Sequence, residues 1–272
     1  MPPEHAPTGS SAQRIMALVR RHYYLLSGSK ARLVELFYWP ILNLLTWGYL
    51  NKYMFQGQTT PLLAFGALLG GALLWEVTIR SQIGMMFGTI EEMWSRNLMQ
   101  LFVSPLSPTE FLAATTLISM LRTTAAMLPC MVMTWLVFDF SIFDLGWAFM
   151  AFYALQLITG WWVGILMAAA LLRFGLGVEW LIWMGTWLLA PFTGAYYPVT
   201  VLPEWLQTVA WMLPPTYVFE GMRAILNHHV LDHGLLLKGL ALNILYLGSA
   251  WGVFLYAFNA TRRHGGLMRS GE

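Results

Sequence analysis

Trp147 to Leu172 is an unbroken run of 26 residues without a single Asp, Glu, Lys or Arg. As a helix it would extend about 39 Å, more than the roughly 30 Å of a bilayer's hydrocarbon core. A soluble fold has little use for so long a charge-free helix, so this segment predicts a membrane span. The whole chain agrees: 58% of its 272 residues are hydrophobic and 10% charged, against about 25% charged in a soluble domain. The expected class is an all-α membrane protein.

Five further apolar segments complete the pattern. Span 1 is expected over Leu33–Met54 with a kink at Pro40, and span 2 from Pro61 through Trp75, with Glu76 and Arg80 towards its end. Span 3 covers Phe111–Phe138, span 4 is the run above, span 5 covers Trp180–Tyr197 and span 6 covers Leu235–Phe258. Residues 1–32 read as a polar tail followed by an interfacial helix from Gln13. Ile15, Leu18, Val19, Leu25 and Leu26 share one side at 100° per residue, and Gln13, Arg14, Arg20 and Arg21 share the other. His22 falls on the apolar side. The competing reading of this stretch is an extension of span 1 with a basic end. No cleavable signal is visible, and the lone Cys130 excludes an intrachain disulfide.

Lys and Arg orient the spans. With the N-terminus inside, Arg14, Arg20, Arg21, Lys30, Arg32, Arg80, Arg96, Arg173, Arg262, Arg263 and Arg269 are cytoplasmic, eleven in all. Lys52, Arg223 and Lys238 are external, and Arg122 lies within span 3. Both termini, including the 259–272 tail, are therefore expected in the cytoplasm.

That orientation puts a polar island, Glu91 to Glu110, on the cytoplasmic side. It reads as an amphipathic helix over Glu92–Val103, a turn at Ser104-Pro105-Leu106-Ser107, and a new helix opening at Pro108, where a missing N–H costs nothing. On the other side, 198–234 is too long and too apolar for a plain loop. Pro203 opens a helical pattern, Pro214-Pro215 is expected to end it, and a second helix follows from Thr216. Short apolar helices joined by prolines predict a re-entrant hairpin; an amphipathic pair lying flat on the outer surface is the alternative.

Two of these stretches carry a resemblance. Leu213-Pro214-Pro215-Thr216-Tyr217-Val218-Phe219-Glu220-Gly221-Met222-Arg223 resembles the late motif of permease subunits of ABC-2 type exporters. Arg96-Asn97-Leu98-Met99-Gln100-Leu101-Phe102-Val103-Ser104-Pro105-Leu106 resembles their cytoplasmic coupling segment, although Met99 stands where an acidic residue is usual. The resemblance implies six transmembrane helices (residues 33–258), an interfacial N-terminal helix, a coupling helix within 89–108 between spans 2 and 3, and two short re-entrant external helices within 198–234. It implies a transport subunit that forms a path as a dimer, with a homodimer of this chain expected, driven by two copies of a separate cytoplasmic ATPase in the bacterial inner membrane. It further implies ATPase-coupling roles for Glu91, Glu92, Arg96, Leu101, Pro105, Arg20 and Arg21, and an external gate at Pro203, Pro214, Pro215, Tyr217, Glu220 and Arg223; for Glu220 and Arg223, one helical turn apart, plain local ion pairing is the competing reading.

The chain itself has no expected cofactor. A P-loop needs Gly-Lys-Ser/Thr, and Lys30, Lys52 and Lys238 follow Ser29, Asn51 and Leu237. ATP and Mg are therefore expected on the partner ATPase. Membrane lipid is an expected partner and nucleic acid is not. Glu76 and Arg122 are the opposite charges placed well inside spans, where charges pair or face a cavity; Glu76 with Arg80 at i, i+4 is the competing pair. His228, His229, Asp232 and His233 resemble a metal set but fit surface residues better, so no metal is expected. Gly66-x-x-x-Gly70 and Gly160-x-x-x-Gly164 permit close helix approach, within a subunit or between two. Trp161, Trp162, Trp183 and Trp187 are candidates for an aromatic channel lining. The reading from another class is an ion-coupled carrier or channel acting without an ATPase; a membrane-embedded enzyme is a third.

Overall fold

Pro108 opens a helix whose start is capped twice. Ser107 accepts the Glu110 backbone N–H at 3.2 Å, the Glu110 carboxylate takes the Ser107 N–H at 2.9 Å, and proline occupies the first turn. This capping box satisfies two donors that a helix start leaves free. The computed structural model describes residues 9–55, 61–97, 100, 104–141, 146–228 and 230–263. Among them the regular structure is all helical: α1 (Ser11–Ser27), α2 (Lys30–Met54), α3 (Pro61–Trp94), α4 (Pro108–Phe138), α5 (Trp147–Phe174), α6 (Trp180–Leu189), α7 (Glu204–Trp211), α8 (Pro214–His228) and α9 (His233–Arg263).

Three of these helices, α4, α5 and α9, are long and apolar enough to cross a bilayer by length and composition. α5 is the charge-free run, and it lies between α3 on one side and α9 on the other. α4 packs on α3, α2 leans on both, and α1 lies across α4. Glycines set the α3–α5 distance. A Cβ on Gly160 would stand 2.5 Å from the Ser81 Cβ, and one on Gly164 would stand 2.8 Å from the Met85 Cβ. Gly66 and Gly70 meet Phe140 and Met222 in the same way. Both small-residue stripes thus serve packing within the subunit.

The core divides along the helices. At the α1 end, Met85, Met86, Phe111, Ile165 and Phe254 are buried together. At the opposite end, Trp75, Phe152, Phe219 and Met222 form a second cluster. Interhelical hydrogen bonds pin the layers between them. Asn243 of α9 accepts from Thr159 at 3.1 Å and from the Trp162 indole at 3.2 Å, and donates to the Leu155 carbonyl. Ser119 of α4 donates to the Ser81 carbonyl at 2.7 Å. Such bonds across apolar helices stabilise by about 0.6–2 kcal/mol each.

Three expectations are corrected here. Span 5 is not one helix to Tyr197. α6 stops at Leu189 after ten residues, about 15 Å, and a 3-10 turn follows over Ala190–Phe192. Pro191 has no N–H to continue the ladder, and the chain reverses at Gly194, whose φ is +67°. Secondly, α3 runs unbroken through Glu91 and Glu92 to Trp94, so these residues end a 34-residue helix rather than begin a coupling helix. Leu101 lies outside the described residues. Thirdly, Pro214-Pro215 opens α8 instead of closing α7. Proline suits the first helical turn, and both prolines are buried there.

Candidate functional site

The polar end of α3 is held by the N-terminal helix. Arg21 of α1 reaches the Glu92 carboxylate at 2.6 Å, Arg32 at the start of α2 reaches Glu91 at 3.1 Å, and Arg14 reaches Glu110 at 2.5 Å. Arg14, Leu18 and Arg21 share one face of α1 at spacings of four and three residues. Leu18 is buried in the core while the arginines grip the ends of α3 and α4 on either side of it. Arg14 holds the Glu110 carboxyl far below the usual carboxylate range, helped by the Ser11 hydroxyl and the Ser107 N–H. The same contact raises Arg14. His22 is buried beside this clamp, where desolvation lowers its pKa. Its Nδ1–H donates to the Leu18 carbonyl at 3.0 Å.

α3 ends in a Schellman motif. The Asn97 N–H reaches back to the Glu92 carbonyl at 2.9 Å and the Arg96 N–H to the Met93 carbonyl at 3.0 Å. This places Arg96 in the left-handed region, φ 53°, with its side chain exposed. Pro105 sits in the turn before α4, also exposed, and forms one wall of an open cavity of about 250 Å³ whose other wall is Arg14, Leu18 and Arg21 of α1. Glu91, Glu92, Arg21 and Pro105 are therefore brought together, with Arg96 at their edge. Arg20 faces away, exposed. Sequence reading did not single out Arg14, Arg32 and Glu110 as site residues. The available signals were the Arg14-Leu18-Arg21 spacing and the Ser107–Glu110 capping pattern.

Further along α3, Glu76 is paired with Arg80 of its own helix at 2.6 Å, and Asn43 of α2 donates to its second oxygen at 2.6 Å. The pairing of Glu76 with Arg122 is thereby corrected. Arg122 of α4 lies level with Phe87, its guanidinium 5.1 Å from that ring's centroid. Phe87 is eleven residues from Glu76, about 16 Å along the helix, whereas Arg80 is one turn away. Beside Glu76 a cavity of about 590 Å³ opens between α2, α3 and α6. Trp183 and Trp187 line it with Trp39. Trp162 does not; its indole is turned inward to Asn243. Trp161 is packed against the core.

At the other end, Glu220 and Arg223 of α8 form an ion pair at 2.9 Å. Glu220 also accepts the Val199 N–H at 2.9 Å, and Arg223 donates to the Gly194 carbonyl. A Cβ on Gly194 would crowd Val199 and the Tyr197 carbonyl, so this turn needs glycine in its left-handed conformation. Tyr217 donates to the Trp211 carbonyl at 2.9 Å and Thr216 to the Ala210 carbonyl at 2.6 Å, closing the corner between α7, which Pro203 caps at its start, and α8, which Pro214 opens. The described residues hold no cluster of three metal-ligating side chains. His233 stacks on Trp147, the His228 ring and His229 being outside them.

Residues 13–227 match the family described as ABC-2 type transporter. The chain belongs to that family. It is a multi-pass membrane protein and the permease component of an ABC transporter, a family whose members work with ATPase subunits. The matched region begins at α1 and ends within α8, so it contains the arginine clamp, the cavity and the Glu220–Arg223 pair. No match was found among curated proteins.

Proposed function

We propose that this chain is the transmembrane half of an ATP-driven exporter. Two copies form the translocation path, and two separate cytoplasmic ATPase subunits, carrying ATP and Mg, drive it. In this reading six spans cross the bacterial inner membrane with both termini in the cytoplasm. Residues 1–32 and 89–108 receive the ATPase, 33–258 form the transmembrane domain, 198–234 form the external re-entrant segment, and 259–272 form the tail.

The observation that carries the reading is the trio of Arg–Glu pairs, Arg14–Glu110, Arg21–Glu92 and Arg32–Glu91, on both sides of the segment joining α3 to α4. A push on that segment moves α1, α3 and α4 together. α3 is a lever of 34 residues, about 51 Å. Beside the cavity at Glu76–Arg80 it packs on α8, where Trp75 meets Phe219 at 5.9 Å. Motion at the α1 end is thus delivered to the path and to the Glu220–Arg223 staple, which acts as the outer gate.

An ion-coupled carrier needs a relay of carboxylates free to exchange protons or ions through the spans. Glu76 is committed to Arg80 and Asn43, and Glu35 lines the cavity with no second free carboxylate beside it among the described residues, which favours the ATP-driven reading. Co-purification from native membranes followed by an ATPase assay in lipid is the test. An ATPase subunit recovered in equal copy, and lost from Glu92→Ala, is the expected result. A chain that purifies without any nucleotide-binding partner and still transports would overturn the reading.

A further inference from the structure

The cavity beside Glu76 has a wall of unusual composition. Three indoles, Trp39, Trp183 and Trp187, open into it, and Leu42, Ile79 and Ile83 supply apolar surface. Its amide, hydroxyl and guanidinium groups are engaged with the chain itself. Asn43 and Arg80 both donate to Glu76, Thr186 donates to Gln82, and Thr46 donates to the Leu42 carbonyl. Glu35 is different. It lines the cavity, is exposed, and makes no ion pair or hydrogen bond among the described residues. Arg122 does not reach this wall; it shares a smaller neighbouring cavity of about 30 Å³ with Glu35, close enough for Coulomb attraction but with no ion pair between them, and its guanidinium rests on Phe87.

The charges on the large cavity's wall are Glu35, Glu76 and Arg80. Glu76 and Arg80 cancel, which leaves one carboxylate among three tryptophans. Indole faces attract cations through their quadrupole, and a carboxylate adds direct attraction. A volume of about 590 Å³ is within the range that holds a drug-sized molecule. An anion would meet the Glu35 carboxylate on the wall itself, a guanidinium already in use at Arg80, and Arg122 only behind the wall. A polyhydroxylated ligand would find the wall's hydroxyls and amide already occupied.

From this we infer that the cavity binds amphipathic organic cations, the ring or chain against the indoles and the positive centre at Glu35. Where it names a transported class, this rests on the exporter reading; the binding chemistry does not.

The test uses the full chain in lipid nanodiscs and two probes of the same shape and opposite charge, tetraphenylphosphonium and tetraphenylborate, with uptake by empty discs subtracted. Tetraphenylphosphonium should bind saturably and tetraphenylborate should not. Glu35→Gln should weaken the cation about tenfold, and Trp187→Leu should weaken it as well. Glu35 makes no hydrogen bond or ion pair that its amide would break, and a melting temperature near that of the parent confirms that the variant folds without the attraction to Arg122. Cation affinity unaltered by Glu35→Gln, absence of saturable cation binding, or tighter binding of tetraphenylborate overturns the inference. Cation binding by a chain that recruits no ATPase sinks the exporter reading alone, whereas ATPase recruitment without cation binding sinks this inference alone.

Discussion

Arg21 and Glu92 lie 71 residues apart in the chain, yet their side chains meet at 2.6 Å, with the carboxylate 1% exposed and the guanidinium 37% exposed. The asymmetry sets the energetics. Loss of the arginine strands a buried carboxylate, while loss of the carboxylate frees an arginine that water can reach. Glu92 also accepts from the Asn97 side chain at 3.0 Å, so it ties α1 to the turn after α3. Arg21→Ala should therefore cost more than Glu92→Gln: about 2–3 kcal/mol against about 1 kcal/mol, both reduced from the fully buried case because Arg21 is partly solvated. Thermal unfolding of the two variants in the same detergent checks the order. Equal losses would mean that the carboxylate is not anchored by Arg21.

The Arg96 backbone makes a separable prediction. A non-glycine residue in the left-handed region costs about 1 kcal/mol, and the αL position of a Schellman motif favours glycine. Arg96→Gly should keep or raise the melting temperature by relieving φ 53°. It should still reduce the ATPase recovered with the chain, because the exposed charge is gone. A fall in both quantities would assign Arg96 a structural contact instead. Arg96→Lys, which keeps the charge and the strain, serves as the reference.

Glu92 and Arg96 also mark where the sequence stops being legible. Pro108 with Ser107 and Glu110 was legible because a capping box is local chemistry, and α5 was legible because its run carries no charge. The α3 boundary was not. Glu91 and Glu92 look like the start of an amphipathic helix, but they finish a long one, since Arg32 and Arg21 come from elsewhere in the chain to neutralise them. Periodicity cannot report a partner 71 residues away. Span 5 misled for the opposite reason. Apolar residues continue past Pro191 to Tyr197, but the proline and the Gly194 turn break the helix, and hydropathy registers neither. For Glu76 the sequence offered two partners, and the nearer one on the same helix prevails.

The Glu76 pairing can be measured as a coupling. In a double-mutant cycle, Glu76→Gln with Arg80→Ala should show a coupling of about 1 kcal/mol or more, because the pair is well shielded. The cycle of Glu76→Gln with Arg122→Ala should be additive to within about 0.5 kcal/mol, as expected of groups that share no contact. Chemical or thermal unfolding in lipid gives both. A large Glu76–Arg122 coupling with a small Glu76–Arg80 coupling would reverse the assignment.

Helix approach gives a steric prediction with a built-in control. An added methyl at Gly160 meets the Ser81 Cβ at 2.5 Å and the Thr78 carbonyl at 2.6 Å, and the latter is backbone that cannot turn aside. Gly160→Ala should destabilise by about 1–3 kcal/mol through overpacking. Gly252 lies on α9, where an added methyl would meet nothing within 4 Å, so Gly252→Ala should be neutral or slightly stabilising by helix propensity. The pair measured side by side separates close packing from the general effect of adding alanine to a helix.

Acid should act at two places along α1, Arg14 and His22, in different pH windows. The Glu110 carboxyl is depressed in the folded chain, with Arg14 the largest cause. Its contribution is complete above the unfolded value of about 4.3 and is lost only as pH falls through the depressed folded value. His22 is also depressed, but by burial, against the raising influence of its bond to the Leu18 carbonyl and of Glu91 and Glu92. For a base the depressed value means that the unfolded state takes up the proton first. Stability conferred by neutral His22 is therefore present above about 6.5 and declines as pH falls below it. α1 should begin to loosen as pH falls below about 6.5, while the Arg14–Glu110 end holds. A nitroxide at the exposed Tyr24 reports that step as increased mobility. His22→Leu should abolish it, and Glu110→Gln should leave its midpoint unchanged while loosening the helix at every pH. A mobility step that survives His22→Leu would place the titrating group elsewhere.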